Sequence, residues 1–194
     1  TARSLLEDGV ANTKALLGAG MNVVIADIRD DHLAEGSAEL NGGYRVLALK
    51  LDVTDRAAYA AAADAAEAKF GKIHLLVNNA GVAVVGPTEL ATFADWDWVM
   101  NVNLGGVING VTVMLPRLLS HGEGGHIVNT SSMSGMVPVG YTPIYSTAKA
   151  AVLTMMETMR PELEPRGVIC SAFCPGAVQS NIAKAGETRP AELA

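Results

Sequence analysis

The sequence predicts an α/β protein in which a doubly wound, mostly parallel sheet is covered by helices on both faces. Two observations lead to this prediction. Apolar segments of strand length alternate with segments of helix length along the chain, and the strand segments are apolar at consecutive positions. Strands buried on both faces have this pattern, and parallel strands require helical crossovers. We therefore expect one three-layer α/β/α domain over residues 1–194.

The elements follow one another in a regular order. Strands are predicted over residues 22–26, 45–51, 73–77, 125–130 and 168–174, and helices over residues 9–18, 30–40, 55–70, 95–120 and from about 144 to 164. Asn41-Gly42-Gly43 and Gly71 end two of the helices, because glycine and asparagine accept the left-handed conformation at a helix C-terminus. Pro161 predicts a kink or an early end in the last helix.

The composition excludes several classes of protein. Apolar residues make up 49% and charged residues 18%, which indicates a globular chain. The net charge of −6 argues against a nucleic-acid surface, where a basic patch is expected. No continuous apolar run approaches the ~18 residues of a membrane span, and no signal peptide opens the sequence. We expect a cytoplasmic protein.

The cysteines and histidines give no sign of a disulfide or a metal site. Cys170 and Cys174 fall in one predicted strand, about 13 Å apart, too far for a disulfide bond. The four histidines show no ligand spacing, so no bound metal is expected.

Residues 131–149 contain the pattern that points to chemistry. Tyr145 and Lys149 are four residues apart at the start of a predicted helix, so both side chains project from one face. A free tyrosine has a pKa of ~10, and a nearby ammonium favours the phenolate. Ser132, at the end of the preceding strand, can hold a substrate oxygen. This pattern predicts a proton-transfer site, although an ordinary helix start with a solvated lysine fits it too.

Polar residues mark the ends of several strands. Parallel α/β sheets bind ligands beyond the carboxyl ends of their strands, where Asp27, Asp52 and Asn79 lie. A carboxylate at Asp27 can accept hydrogen bonds from the hydroxyls of an adenosine ribose and would repel a 2′-phosphate. This favours NAD over NADP, while Arg29 keeps NADP as the lesser possibility. An aspartate that starts a turn explains Asp27 equally well.

Three further segments fit either a ligand site or plain turn chemistry. Residues 78–81 place small and amide side chains where a ligand can approach the backbone. Asn103, within a predicted helix, can bridge a water toward Lys149 or cap a bend. Residues 175–180 form a rigid turn after the last strand.

These residues together resemble the short-chain dehydrogenase/reductase family. The similarity runs from about Gly9 to Ile182, and residues 97–110 and 179–182 are more loosely similar to a branch that includes bacterial aryl-ether alcohol dehydrogenases. The motifs that appear in the family's order and at its spacings are Asp52-Val53, Asn78-Asn79-Ala80-Gly81, Asn103, Ser132, Tyr145 with Lys149, and Pro175-Gly176.

The resemblance implies a Rossmann-like fold and hydride transfer between NAD(H) and a secondary alcohol or ketone. Tyr145 would be the general acid/base, and Lys149 would lower its pKa and bind the nicotinamide ribose. Ser132 would orient the substrate oxygen, and Asn103 would hold a water in the proton relay. The family also forms dimers or tetramers, paired through helices that correspond here to residues 95–120 and 144–164.

The same resemblance implies a set of cofactor contacts. Asp52 and Val53 would meet the adenine, and residues 79–81 the adenosine side. The implied cofactor-binding residues are Gly9, Asp27, Ile28, Asp52, Val53, Asn79, Ala80, Gly81, Tyr145, Lys149, Pro175, Gly176, Val178 and Ser180.

The chain departs from the family pattern at both ends. The family opens with a strand and a Thr-Gly-x-x-x-Gly-x-Gly turn, for which this chain has Ala2, Arg3 and Glu7 and keeps only Gly9. The segment expected after Ala194 is also missing. The missing glycine turn supports an alternative, a non-catalytic or truncated relative unable to bind the dinucleotide, whereas the presence together of Asn103, Ser132, Tyr145 and Lys149 counts against it. A sugar-nucleotide epimerase or dehydratase is a third possibility, but the larger C-terminal domain of those enzymes is not seen.

The substrate is predicted only by class. Five apolar residues between Ser132 and Tyr145 suggest a pocket for a hydrophobic or aromatic alcohol, although loop packing explains them equally well. They are Met133, Met136, Val137, Val139 and Tyr141.

Overall fold

A computed structural model describes residues 13–176 and residue 189 of the chain. Residues 13–18 are helical. The strands are β1 (Val23–Asp27), β2 (Val46–Lys50), β3 (Leu75–Asn78), β4 (Gly125–Thr130) and β5 (Val168–Phe173). The helices are α1 (Asp30–Leu40), α2 (Arg56–Phe70), α3 (Phe93–Met100), α4 (Gly106–Ser120), α5 (Met133–Met136) and α6 (Pro143–Leu163). The predicted alternation of strands and helices is confirmed.

All strand pairs are parallel, as predicted, but the described strands form two sheets. One has the order β1-β2 and the other β3-β4-β5. The single continuous sheet expected from the sequence is therefore not seen among the described residues, because none of their strands pairs with both β1 and β3. The expected lack of a first strand concerns residues 1–12, which lie outside the described residues.

The main core lies between the β3-β4-β5 sheet and the helices that cover it. Its buried side chains come from α2, α4 and α6 as well as from the strands, and they include Met114, Leu118, Ile127, Val152, Met156, Val168 and Cys170. A second, smaller cluster of Leu17, Val23 and Leu40 lies beside β1 and β2. Burial of these continuous apolar runs on both faces of the strands is the main driving force for this arrangement.

Side chains at the helix ends set the helix boundaries. Asp55 accepts hydrogen bonds from the backbone N–H groups of Ala57 and Ala58, so α2 begins one residue later than predicted. Thr92 and Asp95 form a reciprocal capping box at the start of α3. Arg189 extends its guanidinium to the buried Asp95 carboxylate, at 2.8 Å. Pro161 lies inside α6, which continues to Leu163 and so ends close to the predicted residue 164; the early end expected at this proline is not seen.

The predicted long helix is present but changes its winding in the middle. Between α3 and α4, residues Asn101–Gly105 form a π-helical turn, which occurs often at functional sites. The whole stretch Phe93–Ser120 is, by length and composition alone, apolar enough to cross a membrane. A search for a continuous apolar run misses it because asparagines interrupt the run. Of its residues, Val107, Val111, Met114 and Leu118 belong to the main core, and 44% of its most apolar window is buried.

Candidate active site

The helix α6 presents Tyr145 and Lys149 toward the carboxyl edge of the β3-β4-β5 sheet. Pro143 occupies the first helical position, where its fixed φ and missing N–H suit a helix start. Tyr145 follows two residues later, and the Lys149 ammonium lies 5.7 Å from the centroid of its ring. The two side chains therefore share one face of the helix.

Lys149 is a buried lysine, with 2% of its surface exposed. Its Nζ donates a hydrogen bond of 2.7 Å to the main-chain oxygen of Thr130, the last residue of β4. Burial disfavours the charged form and lowers the pKa of Lys149 from 10.5 to about 8. The ammonium is thus held against the end of the strand, and its charge is lost within an accessible pH range.

Tyr145 differs from the sequence expectation. Its pKa is raised above the usual value of 10.0 because the ring is partly buried, and a hydrogen bond with the Ser132 side chain offsets part of this effect. The expected lowering by Lys149 is wrong for this structure, since the ammonium points to Thr130 and lies over the ring. Ser132, rather than Lys149, is the side chain here that favours the phenolate.

Replacing Lys149 with methionine is expected to raise the free energy of unfolding at pH 7 by about 1–2 kcal/mol. A pKa lowered to about 8 means that the folded protein disfavours the charged ammonium by roughly 3 kcal/mol, a cost that methionine does not have. The variant also loses the hydrogen bond to Thr130, which cancels part of this gain in stability. The folded protein holds this proton less tightly than the unfolded chain, so wild-type stability rises between about pH 8 and 10.5. The advantage of the variant should shrink over that interval.

Urea unfolding at pH 7 and pH 10 measures this effect. The matched control is Lys69→Met, which removes an exposed lysine of α2 whose ammonium also donates to a main-chain oxygen, that of Val46, at 3.0 Å. This variant relieves no burial of a charge and should be no more stable than the wild type at pH 7. A Lys149→Met variant that is no more stable than the wild type at pH 7 would show that the contacts of the ammonium outweigh its desolvation.

The segment after β4 is fixed to α6 and also to β5, where the Phe173 oxygen accepts a hydrogen bond of 2.7 Å from the Ser131 N–H. Ser132 caps the short helix α5 through a hydrogen bond of 3.1 Å from the Ser134 N–H. Ser131 donates its hydroxyl proton to the main-chain oxygen of Lys149, at 2.7 Å. A Cβ added at Gly135 would lie 2.8 Å from that same oxygen, so only glycine permits this close approach. Ser132 is thereby held beside Tyr145.

Asn103 is fully buried in the π-helical turn. Its side-chain oxygen accepts a hydrogen bond of 2.7 Å from the Val82 N–H, and its Nδ2 donates one of 2.8 Å to the Val82 oxygen. A Cβ added at Gly81 would lie 3.4 Å from Lys149 Nζ and 3.5 Å from Asn103 Oδ1. The side chain of Asn103 thus holds the loop after β3 beside Lys149, and its contact with a relay water stays a prediction.

A buried chain of polar side chains joins the ends of β3 and β4, which the sequence analysis did not detect. Asn78 and Asn129 are partners in the sheet register, and their side chains hydrogen-bond at 2.8 Å. The Tyr59 hydroxyl donates to Asn78 Oδ1 at 3.0 Å, and burial raises the pKa of Tyr59 to about 12. One residue further along, Thr130 donates to Asn79 Oδ1 at 3.0 Å. The signal in the sequence that could have indicated this polar chain was the presence of an asparagine at the end of one apolar strand and another within the next.

The residues predicted to meet adenosine lie at the ends of β1 and β2. Asp27 is the last residue of β1, and its Oδ1 accepts a hydrogen bond of 2.9 Å from the Arg29 N–H. Ile28 is exposed. Asp52 accepts hydrogen bonds from the N–H and the hydroxyl of Thr54, at 2.8 and 2.7 Å, so it also has the turn-forming role that the sequence left open. The Val53 oxygen accepts a hydrogen bond from Asn109, at 2.9 Å.

Other predicted cofactor residues are only partly described. Pro175 follows β5, and its oxygen accepts a hydrogen bond of 3.0 Å from the Met133 N–H. A Cβ added at Gly176 would lie 3.1 Å from the Met133 sulfur. Gly9, Val178 and Ser180 lie outside the described residues.

An exposed apolar loop lies between Ser132 and Tyr145. Its exposed members are the five residues predicted to line a pocket: Met133, Met136, Val137, Val139 and Tyr141. Tyr141 has a φ of 64°, a conformation that costs a bulky residue free energy, and its oxygen accepts a 2.9 Å hydrogen bond from the Gly86 N–H. The loop is therefore held against the segment after β3.

One cluster of possible metal ligands lies away from this site, and the sequence spacing did not indicate it. His74, His121 and Glu123 have ligand atoms within 4.8 Å of one another. His74 bonds to Glu123 at 2.9 Å, His121 uses both ring nitrogens in hydrogen bonds to the backbone, and the Lys72 ammonium is paired with the other Glu123 oxygen. These hydrogen bonds and this ion pair explain why the three side chains lie close together at a turn.

The fold and the site define an α/β protein of the Rossmann-like class that carries a serine–tyrosine–lysine cluster at the carboxyl edge of a parallel sheet. The short-chain dehydrogenase family matches residues 9–190 of the sequence. The chain therefore belongs to the short-chain dehydrogenase family.

Individual relatives agree with this assignment. C alpha-dehydrogenase from Sphingobium sp. is 43% identical over 95% of this chain and 61% of its own length, so the chain spans about three fifths of that relative. A 3-alpha-(or 20-beta)-hydroxysteroid dehydrogenase from Mycobacterium tuberculosis is 33% identical over 89% of this chain and 65% of its own length. A crystal structure of a short chain dehydrogenase/reductase from Burkholderia phymatum in complex with NAD superposes with a TM-score of 0.88, at 38% identity, over 95% of this chain and 68% of that one.

Proposed function

We propose that this protein transfers a hydride between NAD(H) and a secondary alcohol or ketone, and that residues 1–194 form its catalytic and dinucleotide-binding domain. The observation that carries the proposal is the convergence of Ser132, Tyr145 and Lys149 at one edge of the sheet, where the Lys149 ammonium lies 5.7 Å from the centroid of the tyrosine ring and Ser132 offsets part of the rise in the pKa of Tyr145. The solved relative in complex with NAD supports the choice of a nicotinamide dinucleotide.

The residues at the strand ends fit such a cofactor. The carboxylate of Asp27 has no lysine or arginine partner within the described part of the chain, which leaves it able to accept hydrogen bonds from a ribose. Gly81 leaves open the space beside Lys149 that a Cβ would fill. Lys149 would hold the nicotinamide ribose. The dinucleotide, when bound, accepts or supplies the hydride.

The protein's own residues move the proton. In the oxidation direction Tyr145 takes the proton of the substrate hydroxyl as the carbinol carbon gives up its hydride, and in reduction Tyr145 returns a proton to the carbonyl oxygen. Ser132 donates a hydrogen bond to that oxygen and holds it near the tyrosine. The Ser132 hydroxyl has one proton, so it favours the phenolate of Tyr145 before the substrate binds and donates to the substrate oxygen afterwards.

We propose a hydrophobic or aromatic substrate. The loop from Met133 to Tyr141 presents exposed apolar side chains next to Ser132 and Tyr145, and such side chains bind apolar groups by removing them from water. One relative is named for a hydroxysteroid, an apolar alcohol. A homodimer or homotetramer paired through Phe93–Ser120 and α6 remains a prediction.

A titration and a substrate screen test the proposal on the full-length protein. We expect NADH fluorescence to report binding, and NAD to be reduced in the presence of an aromatic secondary alcohol. The matched tertiary alcohol, which has no hydrogen on its carbinol carbon, should give no reaction. If the folded protein binds no NADH, it is instead a non-catalytic relative of the family.

A further inference from the structure

Charged side chains gather where β1 ends and α1 begins. The guanidinium of Arg29 binds Asp31 through two nitrogens, with Nε 3.0 Å from Oδ1 and the second nitrogen on Oδ2. The Lys50 ammonium, in register with Asp27 on the neighbouring strand, lies 2.6 Å from Asp30 Oδ2. Each of these two cations is therefore already paired with a carboxylate of the first turn of α1.

Asp27 is in a different position. Its Oδ1 accepts the Arg29 N–H at 2.9 Å, and its Oδ2 lies 3.5 Å from Nδ1 of the buried His32. No lysine or arginine side chain lies within ion-pair distance of it in the residues that the structure describes. Asp27 is thus the carboxylate of this group that remains able to accept hydrogen bonds from a diol.

We propose that Asp31 is a determinant of cofactor selectivity, which weakens NADP binding by keeping the Arg29 guanidinium away from a ribose 2′-phosphate. The inference rests on the proposed function, because it requires the adenosine ribose at the end of β1. It assigns to Asp31 a role separate from that of Asp27, which would bind the ribose hydroxyls directly.

The chemistry of the two groups supports this role. A guanidinium is the side chain best suited to a phosphate monoester, which carries about −1.5 to −2 charges at neutral pH. Arg29 follows Asp27 closely enough to share its backbone turn, so it is the cation placed to meet such a phosphate. To do so it must leave a two-bond pair with Asp31, and the released carboxylate would then repel the phosphate.

The expected effect is moderate because the pair is exposed. The side chains of Arg29 and Asp31 are 39% and 59% exposed, so solvent screens their attraction. Pairs of this kind contribute little individually, although two-bond geometry places this one at the upper end of the range. We therefore expect removal of Asp31 to tighten NADPH binding by about three- to tenfold, and not to convert the protein into one that prefers NADPH.

The test measures the Kd of NADPH and of NADH for Asp31→Asn, with Asp30→Asn as a matched control. Both changes remove one carboxylate from the first turn of α1 and the same favourable interaction with the helix terminus. Asp31→Asn releases Arg29, whereas Asp30→Asn releases Lys50, so a gain specific to the first variant reports on the guanidinium. The double variant Arg29→Ala with Asp31→Asn removes the released cation. Asp31→Ser serves as a second neutral replacement, and NADH binding reports that each variant is folded.

We expect Asp31→Asn to tighten NADPH binding three- to tenfold with NADH binding unchanged within twofold, and the double variant to lose this gain. Equal gains in Asp31→Asn and Asp30→Asn, or a gain that persists without Arg29, would reduce the effect to general electrostatics and overturn the inference. A wild-type protein that binds NADH while none of the variants changes NADPH binding also overturns it. A folded wild type that binds neither nucleotide overturns the proposed function itself.

Discussion

Replacing Tyr145 with phenylalanine is expected to lower turnover by about a thousandfold while the Kd of NADH changes by less than about twofold. The substitution removes only the hydroxyl group that exchanges a proton with the substrate. The ring stays in place beside the Lys149 ammonium, so the side chains proposed to hold the ribose keep their positions. A loss confined to kcat identifies Tyr145 as the acid/base.

The control for this experiment is Tyr44→Phe. Tyr44 is 84% exposed and precedes β2, at the edge of the β1-β2 sheet opposite to Asp27. Removing its hydroxyl should leave both turnover and NADH binding unchanged. Turnover by Tyr145→Phe within tenfold of the wild type would exclude proton transfer by this residue. A large loss of NADH binding would indicate a role in holding the cofactor instead.

Replacing Gly110 with alanine is expected to destabilise the protein by about 3–5 kcal/mol, a large share of the stability of a typical domain. Gly110 lies on α4 where this helix crosses the buried polar chain. An added Cβ would overlap the Asn78 side-chain oxygen and would lie 2.6 Å from the Tyr59 hydroxyl. The amide cannot move away without giving up its hydrogen bonds to Tyr59 and Asn129, and buried groups left unpaired are costly.

Gly105→Ala provides the matched control one and a half turns earlier. Its added Cβ would meet nothing closer than the Met100 oxygen, at 3.7 Å, which is an ordinary contact. Alanine favours a helix over glycine by up to about 1 kcal/mol, so this variant should be as stable as the wild type or slightly more stable. Urea unfolding measures the free energy of unfolding of both variants. A loss below 1 kcal/mol in Gly110→Ala would mean that the buried chain readjusts readily.

Local patterns in the sequence were enough to predict most of the elements. Residue spacing fixes which side chains share a helix face, so Tyr145 and Lys149 could be placed together without any tertiary information. The helix α1 was predicted with its observed bounds, because glycine and asparagine end it locally. Both cysteines were expected to be free, and both are.

Interactions between distant segments could not be read in this way. The bond from Lys149 to the Thr130 oxygen depends on how α6 packs on β4, and so does the burial that raises the pKa of Tyr145. Asn78 and Asn129 are 51 positions apart and meet only because β3 and β4 pair in one register. Predicting these contacts requires knowing which segments pack or pair with one another, and residue spacing in the sequence does not give this information.

The outward-facing loop from Met133 to Tyr141 has a consequence for the evolution of this protein. Its apolar side chains are exposed, whereas Lys149 and Asn103 are buried and hydrogen-bonded to main-chain oxygens. Descendants of the gene can therefore exchange loop residues at little cost to folding, and under the proposed function such exchanges would change the preferred substrate. The proton-handling machinery would be inherited unchanged through such exchanges.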